Sequence, residues 1–395
     1  MTRILHVPPE EILLDSFRLG RLVFDSGFRP RHMISIWRGG TPIGLGVDAY
    51  FRFQGQQVRH SAIATSSYRG RALQGDVVVK GLEHLVRTVC REDGLLLIDD
   101  VYESGETIRS ILDALHRGAR ANCPTDIRVA TVHRKVGETI GPDLPVMHLR
   151  DIPGDVWIDY PHELADLVDD DDPEDGRIRE KSARIHAVLR GHDDEEDPTL
   201  GPRGYLPVGT LLMDSVRLGV RIARSGFVPD FLVALWPGGV WPGLCIHEVF
   251  KYSARKDGRA QGIPDHVPVN TTHTHRSFRT EIVGLDYLAE HVEHHHSLLI
   301  VDTVFRSGRM TTDLVNALKD VLRRNLSLSR VRIATVYWYP EDEGTWTVPP
   351  FRTEPDWYLR RLDALPVYPH APHRLARPRE DLQACNPDLG RILFG

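Results

Sequence analysis

The chain has 395 residues, of which 41% are hydrophobic and 26% charged, with a formal net charge of −6; that is room for two ordinary domains with the balance of a globular protein. No run nears the roughly 18 apolar residues of a membrane helix, and the start "MTRILHVPPEEILL" lacks the apolar core of a secretory signal, so a cytoplasmic location is expected. The mildly acidic balance makes nucleic acid an unexpected partner, and Cys90, Cys123, Cys245 and Cys385 lack C-x-x-C spacing, which points to free thiols rather than a disulfide frame or zinc site.

A helical pattern, "EEILLDSFRLGRLVFDSG", opens the chain and ends on a glycine. The strand "MISIW" follows, then Arg38-Gly39-Gly40 and a second helical pattern. After a polar loop come the strand "GLLLID", the loop "ESGET" (Glu103 to Thr107), the helix "ETIRSILDALHRG", the strand "IRVATVH" and a more extended tail. Buried strands that read as continuous apolar runs, each followed by a helix, predict a parallel sheet covered on both faces. Ligands in such sheets bind at the carboxyl ends of the strands.

The pattern then repeats. "LLDSFRLGRLVFDSGFRPRHMISIWRGG" aligns without gaps with "LMDSVRLGVRIARSGFVPDFLVALWPGG", pairing Asp15 with Asp214 and Trp37 with Trp236. Asp99 pairs with Asp302, and "VATV" with "IATV". The expected organisation is a domain over 1–167, an acidic linker over 168–203 and a second domain over 204–395. The linker's acidic, proline-bearing ends read as solvated spacer, and "RIREKSARIHAVL" between them as one amphipathic helix.

The first copy concentrates chemistry at one strand end. Asp99 and Asp100 close an apolar run, and Glu103 to Thr107 join it to a helix start, where unpaired N–H groups and the helix dipole favour a phosphate. Ser104 and Thr107 add hydroxyl donors and Gly105 permits close approach. The two aspartates suit the hydroxyls of a sugar or a magnesium ion held partly through water. A phosphorylated sugar satisfies both halves.

"LLLIDDVYESGET" resembles the phosphoribosyl pyrophosphate (PRPP) signature of the type I phosphoribosyltransferases, departing mainly at Glu103, where Asp or a small residue is usual. "WRGGTPIG" is similar to the family's pyrophosphate loop, "IATSSYRG" to its mobile lid, and "ATVHRK" with "IPGDVWIDYPHEL" to its base-binding region. The resemblance implies an α/β fold of two tandem domains, each a parallel sheet with helices on both faces plus a small hood. It implies magnesium-dependent transfer of ribose 5-phosphate from PRPP to a nitrogen heterocycle, most often a 6-oxopurine such as hypoxanthine, guanine or xanthine, with release of pyrophosphate. Asp99 and Asp100 would bind the ribose hydroxyls and the metal; Glu103, Ser104, Gly105, Glu106 and Thr107 would hold the 5-phosphate; Arg38, Gly39 and Gly40 would hold pyrophosphate. Ser67 and Tyr68 would close over the reacting centre, Lys135 would donate to an exocyclic oxygen of the base, and Trp157 would stack on it. Glu103 stands where the 6-oxopurine enzymes carry the general base. A PRPP sensor, or a biosynthetic enzyme with a non-purine acceptor, is the competing expectation.

The second copy departs from this set. Asp302 remains, but Thr303, Arg306 and Met310 replace Asp100, Glu103 and Thr107; Pro237 replaces Arg38, "VNTTHTHRS" replaces the lid and Tyr339 falls at Lys135. An arginine stays protonated and is no general base. The second half is expected to be either a degenerate partner packed as in the family's dimers or a site for another ligand, with Arg306 and Arg309 around Ser307-Gly308 available to phosphate. Whether the chain also forms homo-oligomers is left open. His273, His275 and the run His294 to His296 offer a metal reading, set against a surface cluster at a helix end.

Overall fold

A computed structural model describes residues 3–67, 77–137, 141, 143–164, 184–191, 200–258, 262–273, 280–340 and 350–395. They fall into two compact units: Met1–Ile158 with Gly201–Tyr205 and Val367–Gly395, and Asp159–Leu200 with Leu206–Pro366. These differ from the linear division at 167 and 204, because the chain's end belongs to the first unit and most of the described linker to the second.

The first unit runs β1 (Arg3–His6), α1 (Pro9–Asp25), β2 (His32–Trp37), α2 (Gly40–Phe53), β3 (Arg59–Ser67), β4 (Val77–Lys80), α3 (Glu83–Thr88), β5 (Gly94–Tyr102), α4 (Glu106–Ala119), β6 (Asp126–Val136), β7 (Val146–Pro153) and β8 (Val156–Asp159). Six strands form one sheet in the order β4-β3-β2-β5-β6-β7, while β1 and β8 pair separately. All neighbours in the large sheet are parallel except β3 and β4. The expected parallel sheet therefore carries one antiparallel edge strand.

Sequence dictates these elements plainly. Pro9 at the first turn of α1 needs no N–H partner there, and Glu10 and Glu11 face the positive end of the helix dipole. Every residue of β2 is buried, as a strand covered on both faces requires. On one face Ile34, Ile36, Leu95 and Leu97 pack with Ile108, Ile111 and Leu115 of α4. The alternate residues Met33, Leu96 and Ile98 are equally buried, on the side where α2 contacts β2 and β5. Each such side chain stabilises the fold by roughly 1.5–3 kcal/mol relative to an exposed one.

The second unit repeats the architecture with α5 (residues 184–190), α6 (Val208–Arg224), β9 (Phe231–Trp236), α7 (Val240–Lys256), β10 (Asp265–His273), β11 (Thr280–Val283), α8 (Asp286–His291), β12 (Leu298–Phe305), α9 (Arg309–Leu322), β13 (Val331–Trp338) and β14 (Trp357–Arg361). Its sheet order, β11-β10-β9-β12-β13-β14, matches the first position by position. Helix α5 covers the end of the predicted linker helix; residues 177–183 lie outside the described residues. The chain's last helices, α10 (Pro378–Cys385) and α11 (Pro387–Phe394), belong to the first unit. None of the described helices is long and apolar enough to cross a membrane.

A buried aspartate anchors α1 in the first unit and α6 in the second. Asp15 is fully buried and accepts hydrogen bonds from Arg18 (2.7 Å) and from Arg150 of β7, which also reaches Glu11 at 3.0 Å. Asp214 in α6 is held likewise by Arg217 (3.0 Å), the Tyr337 hydroxyl (2.8 Å) and Arg360 of β14 (3.5 Å). In each case a helix is tied to the edge strand of its sheet.

Candidate active site

Asp99 and Asp100 sit in the carboxyl-terminal half of β5, and the Arg38–Gly40 loop leaves the same end of the adjacent parallel strand β2. A Cβ on Gly39 would collide with the Asp100 carboxylate; one on Gly40 would collide with the Ile98 carbonyl and lie 2.8 Å from the Asp99 Cα. Only glycine lets this loop lie directly on the acid pair. Asp99 accepts from the Asp100 amide at 3.0 Å, and Asp100 from the Val101 amide at 2.9 Å.

Burial raises the Asp99 carboxyl well above its usual range, and the neighbouring Asp100 charge adds to the shift. Burial raises Asp100 as well, opposed by its hydrogen bonding and by Arg38. Two carboxylates whose charged forms are disfavoured in this way are groups whose ionised forms a divalent cation stabilises. Among the described residues no cluster of three or more His, Cys, Asp or Glu is placed to hold a metal. A cation here would thus have two protein carboxylates, with water or ligand oxygens completing its shell, the arrangement magnesium favours.

The loop beyond β5 turns through Gly105, whose φ of +79° is left-handed and which caps α4. A Cβ on it would strike the Tyr102 hydroxyl and lie 2.7 Å from the Gly141 Cα. The Ser104 hydroxyl accepts from the Glu106 amide at 3.3 Å, and the Gly141 amide donates to the Ser104 carbonyl at 2.9 Å. Thr107 stands in the first turn of α4, where the helix's own geometry leaves its leading amides without intrahelical acceptors.

Lys135, near the end of β6, donates from Nζ to Glu103 Oε1 at 2.9 Å. The lysine side chain is 13% exposed and the glutamate 60%, so the carboxylate faces outward with the ammonium behind it. The fold therefore gathers Arg38 to Gly40, Asp99, Asp100, Glu103 to Thr107 and Lys135 at one end of the sheet. Trp157 lies on β8, in the small separate sheet, and is 51% exposed. Ser67 ends β3 opposite Val77. Its side chain and Tyr68 lie outside the described residues.

Tyr102 and Gly141, which brace the loop, gave no motif signal. Neither did a buried Ser35–His60–Asp48 arrangement, with Ser35 Oγ 2.8 Å from His60 Nε2 and His60 Nδ1 3.9 Å from Asp48. Ser35 is wholly buried beneath α2, so this is a core hydrogen bond rather than a nucleophile.

The second unit keeps the scaffold and alters the groups. Gly238 lies against Asp302 as Gly39 lies against Asp100, and Gly308 (φ +69°) caps α9. Burial pushes the Asp302 carboxyl up to about 7. The Thr303 hydroxyl, in place of a second carboxylate, donates to the Gly238 carbonyl. Arg309 pairs with Asp313 at 4.0 Å, and the Tyr339 amide donates to the Phe305 carbonyl at 2.8 Å. One carboxylate remains where the first unit has two. His291, His294 and His295 are exposed at and beyond the end of α8; His275 lies outside the described residues.

No family model and no curated protein matches the chain. Solved structures do. A hypothetical protein from Neisseria gonorrhoeae, crystallised with bound ppGpp, is 21% identical over 46% of this chain and 98% of its own, with a TM-score of 0.34. A purine phosphoribosyltransferase from Pyrococcus horikoshii Ot3 is 17% identical over 41% of this chain and 94% of its own, TM-score 0.30. The xanthine-guanine-hypoxanthine phosphoribosyltransferase of Helicobacter pylori is 18% identical over 40% of this chain and 92% of its own, TM-score 0.30. Two of these three carry the name of the family that the sequence motifs resemble.

Proposed function

We propose that the first unit is a phosphoribosyltransferase that uses PRPP and magnesium to attach ribose 5-phosphate to a ring nitrogen of a 6-oxopurine. The observation that carries this reading is the convergence of the Asp99–Asp100 pair, the glycine loop lying on it, the capped start of α4 and the Lys135–Glu103 pair at one end of the sheet.

Each residue then has a physical task. The leading amides of α4, with Ser104 and Thr107, bind the 5-phosphate, and Asp99 and Asp100 accept from the ribose hydroxyls. Arg38 and the Gly39–Gly40 backbone hold the departing pyrophosphate, which stabilises charge that develops as the glycosidic bond breaks. Asp99 and Asp100 would hold a magnesium ion, which would supply neutralisation of the diphosphate. Lys135 orients the acceptor through its exocyclic oxygen, and Glu103 takes the proton from the attacking nitrogen. Trp157, half exposed, offers a stacking face for the base.

The test is product identification after incubating PRPP and magnesium with hypoxanthine, guanine, xanthine, pyrimidines and other nitrogen heterocycles. A nucleotide formed from one 6-oxopurine supports the proposal. PRPP binding without turnover of any acceptor overturns it in favour of a sensor, and turnover of a non-purine alone overturns the purine assignment.

A further inference from the structure

Each copy ends on a segment that matches the other's. Tyr160-Pro161-His162 is repeated as Tyr368-Pro369-His370, and Ile185, Val188, Leu189 and Gly191 recur at the same spacing as Leu389, Ile392, Leu393 and Gly395. The match extends to conformation. Tyr160 and His162 stack with ring centroids 5.9 Å apart and planes inclined by 18°, and Tyr368 and His370 do so at 5.7 Å and 13°. Each segment also carries a helix, α5 or α11, whose periodic apolar residues are buried.

Their placement crosses over. The segment of the second copy, Val367–Gly395, is part of the first unit, and that of the first copy, within Asp159–Leu200, is part of the second. In the first unit α11 packs against α1, and Arg21 of α1 donates to the Ile392 carbonyl at 3.4 Å. The Phe394 ring meets Phe53 of α2 edge-on at 5.2 Å, and His370 lies in the field of Asp48 and Arg52 of α2. In the second unit the His162 ring meets Trp241 of α7 edge-on at 6.5 Å, and a Cβ on Gly191 would strike the Arg224 guanidinium of α6. Val188 lines one cavity with Arg217 and Val220 of α6, as Ile392 does with Arg18 and Arg21, the aligned positions of α1. The same helical face, α1 with α2 or α6 with α7, is thus covered in each unit by the terminal segment of the other copy.

We propose that the two copies have exchanged their terminal segments, so that each copy is an obligatory structural complement of the unit built on the other. Equivalent segments in exchanged positions are what swapping between two like domains produces, and one covalent chain keeps each segment at high effective concentration beside its target. The exchange accounts for a second copy that has lost acidic groups yet stays in the chain. Leu382, Leu389 and Leu393, buried in the first unit, come from it. They belong to the segment that covers α2, the helix that begins at the glycine loop lying on Asp99 and Asp100.

The experiment is hydrogen exchange on the full chain, read peptide by peptide by mass spectrometry. No substrate enters it, so its outcome is separate from that of the proposed catalysis. Leu389→Ala/Leu393→Ala, in the second copy, is expected to speed exchange about tenfold or more in α1 and α2 and to leave α6 and α7 within about twofold of wild type. Ile185→Ala/Leu189→Ala, in the first copy, is expected to do the reverse. If either pair fails to fold, Leu393→Val and Leu189→Val carry the same comparison, with an expected change of about threefold. Faster exchange in the helices of the substituted copy itself, equal loosening of both units, or no change in either overturns the proposal.

Discussion

At the scale of single residues, the acid pair and the loop after it were legible because their chemistry is contiguous in sequence: "LLLIDDVYESGET" states strand, acids, turn and helix start in order. The Lys135–Glu103 pair was not, since it joins groups 32 positions apart and depends on β6 lying beside β5. Nor was Gly141, whose amide braces Ser104 from a polar loop with no motif of its own. Lys135→Met removes the ammonium behind Glu103 and the donor proposed for the acceptor. It is expected to raise the KM for the acceptor about tenfold or more while leaving the KM for PRPP within about twofold, as loss of one charge-assisted hydrogen bond predicts. Equal increases in both constants in steady-state assays would contradict that role. Gly39→Ala forces a methyl into the Asp100 carboxylate. A destabilisation of about 1–3 kcal/mol is expected from the overpacking, with loss of turnover, and urea unfolding beside activity measurement checks both.

At the scale of elements, the alternation of apolar strands and helices gave the sheet, its mainly parallel sense and the end at which the candidate site lies, because buried parallel strands have a distinctive apolar pattern. The antiparallel β4 was not foreseen: it pairs locally with β3 around the polar stretch that was read as lid. The repeated "DS-x-RLG" served in the sequence only to align the two copies. In the fold its aspartate is the partner that Arg150 or Arg360 needs in order to fix helix to edge strand. Arg150→Met leaves Asp15 still facing Arg18 but without its cross-sheet partner. A cost of about 3 kcal/mol is expected from the weakened pairing of a buried charge, read as a lower urea midpoint at unchanged slope. A change under about 0.5 kcal/mol would mean that Arg18 alone satisfies the aspartate.

At the scale of the molecule, tandem copies were evident from sequence, but the discontinuous make-up of the compact units was not, since nothing in a linear repeat tells which unit a terminal segment joins. Val367–Gly395 belongs to the first unit, where Leu382, Leu389 and Leu393 are buried. Within that segment Tyr368 stacks on His370, whose imidazole burial lowers to about 4 from 6.5. A histidine held neutral in the fold contributes stability above pH 6.5 that is lost as pH falls toward 4, because the unfolded chain then binds the extra proton. Wild type is therefore expected to lose stability relative to His370→Asn across that window, and pH-dependent urea unfolding of the pair would show a flat difference if the segment were not docked. The central claim, that the first unit holds the catalytic centre, is tested most directly by pyrophosphate release from PRPP, magnesium and a 6-oxopurine in wild type, Asp100→Asn and Asp302→Asn. The account predicts a loss of at least about a hundredfold in Asp100→Asn, with Asp302→Asn near wild type. Release that survives Asp100→Asn, or that collapses only in Asp302→Asn, would contradict it.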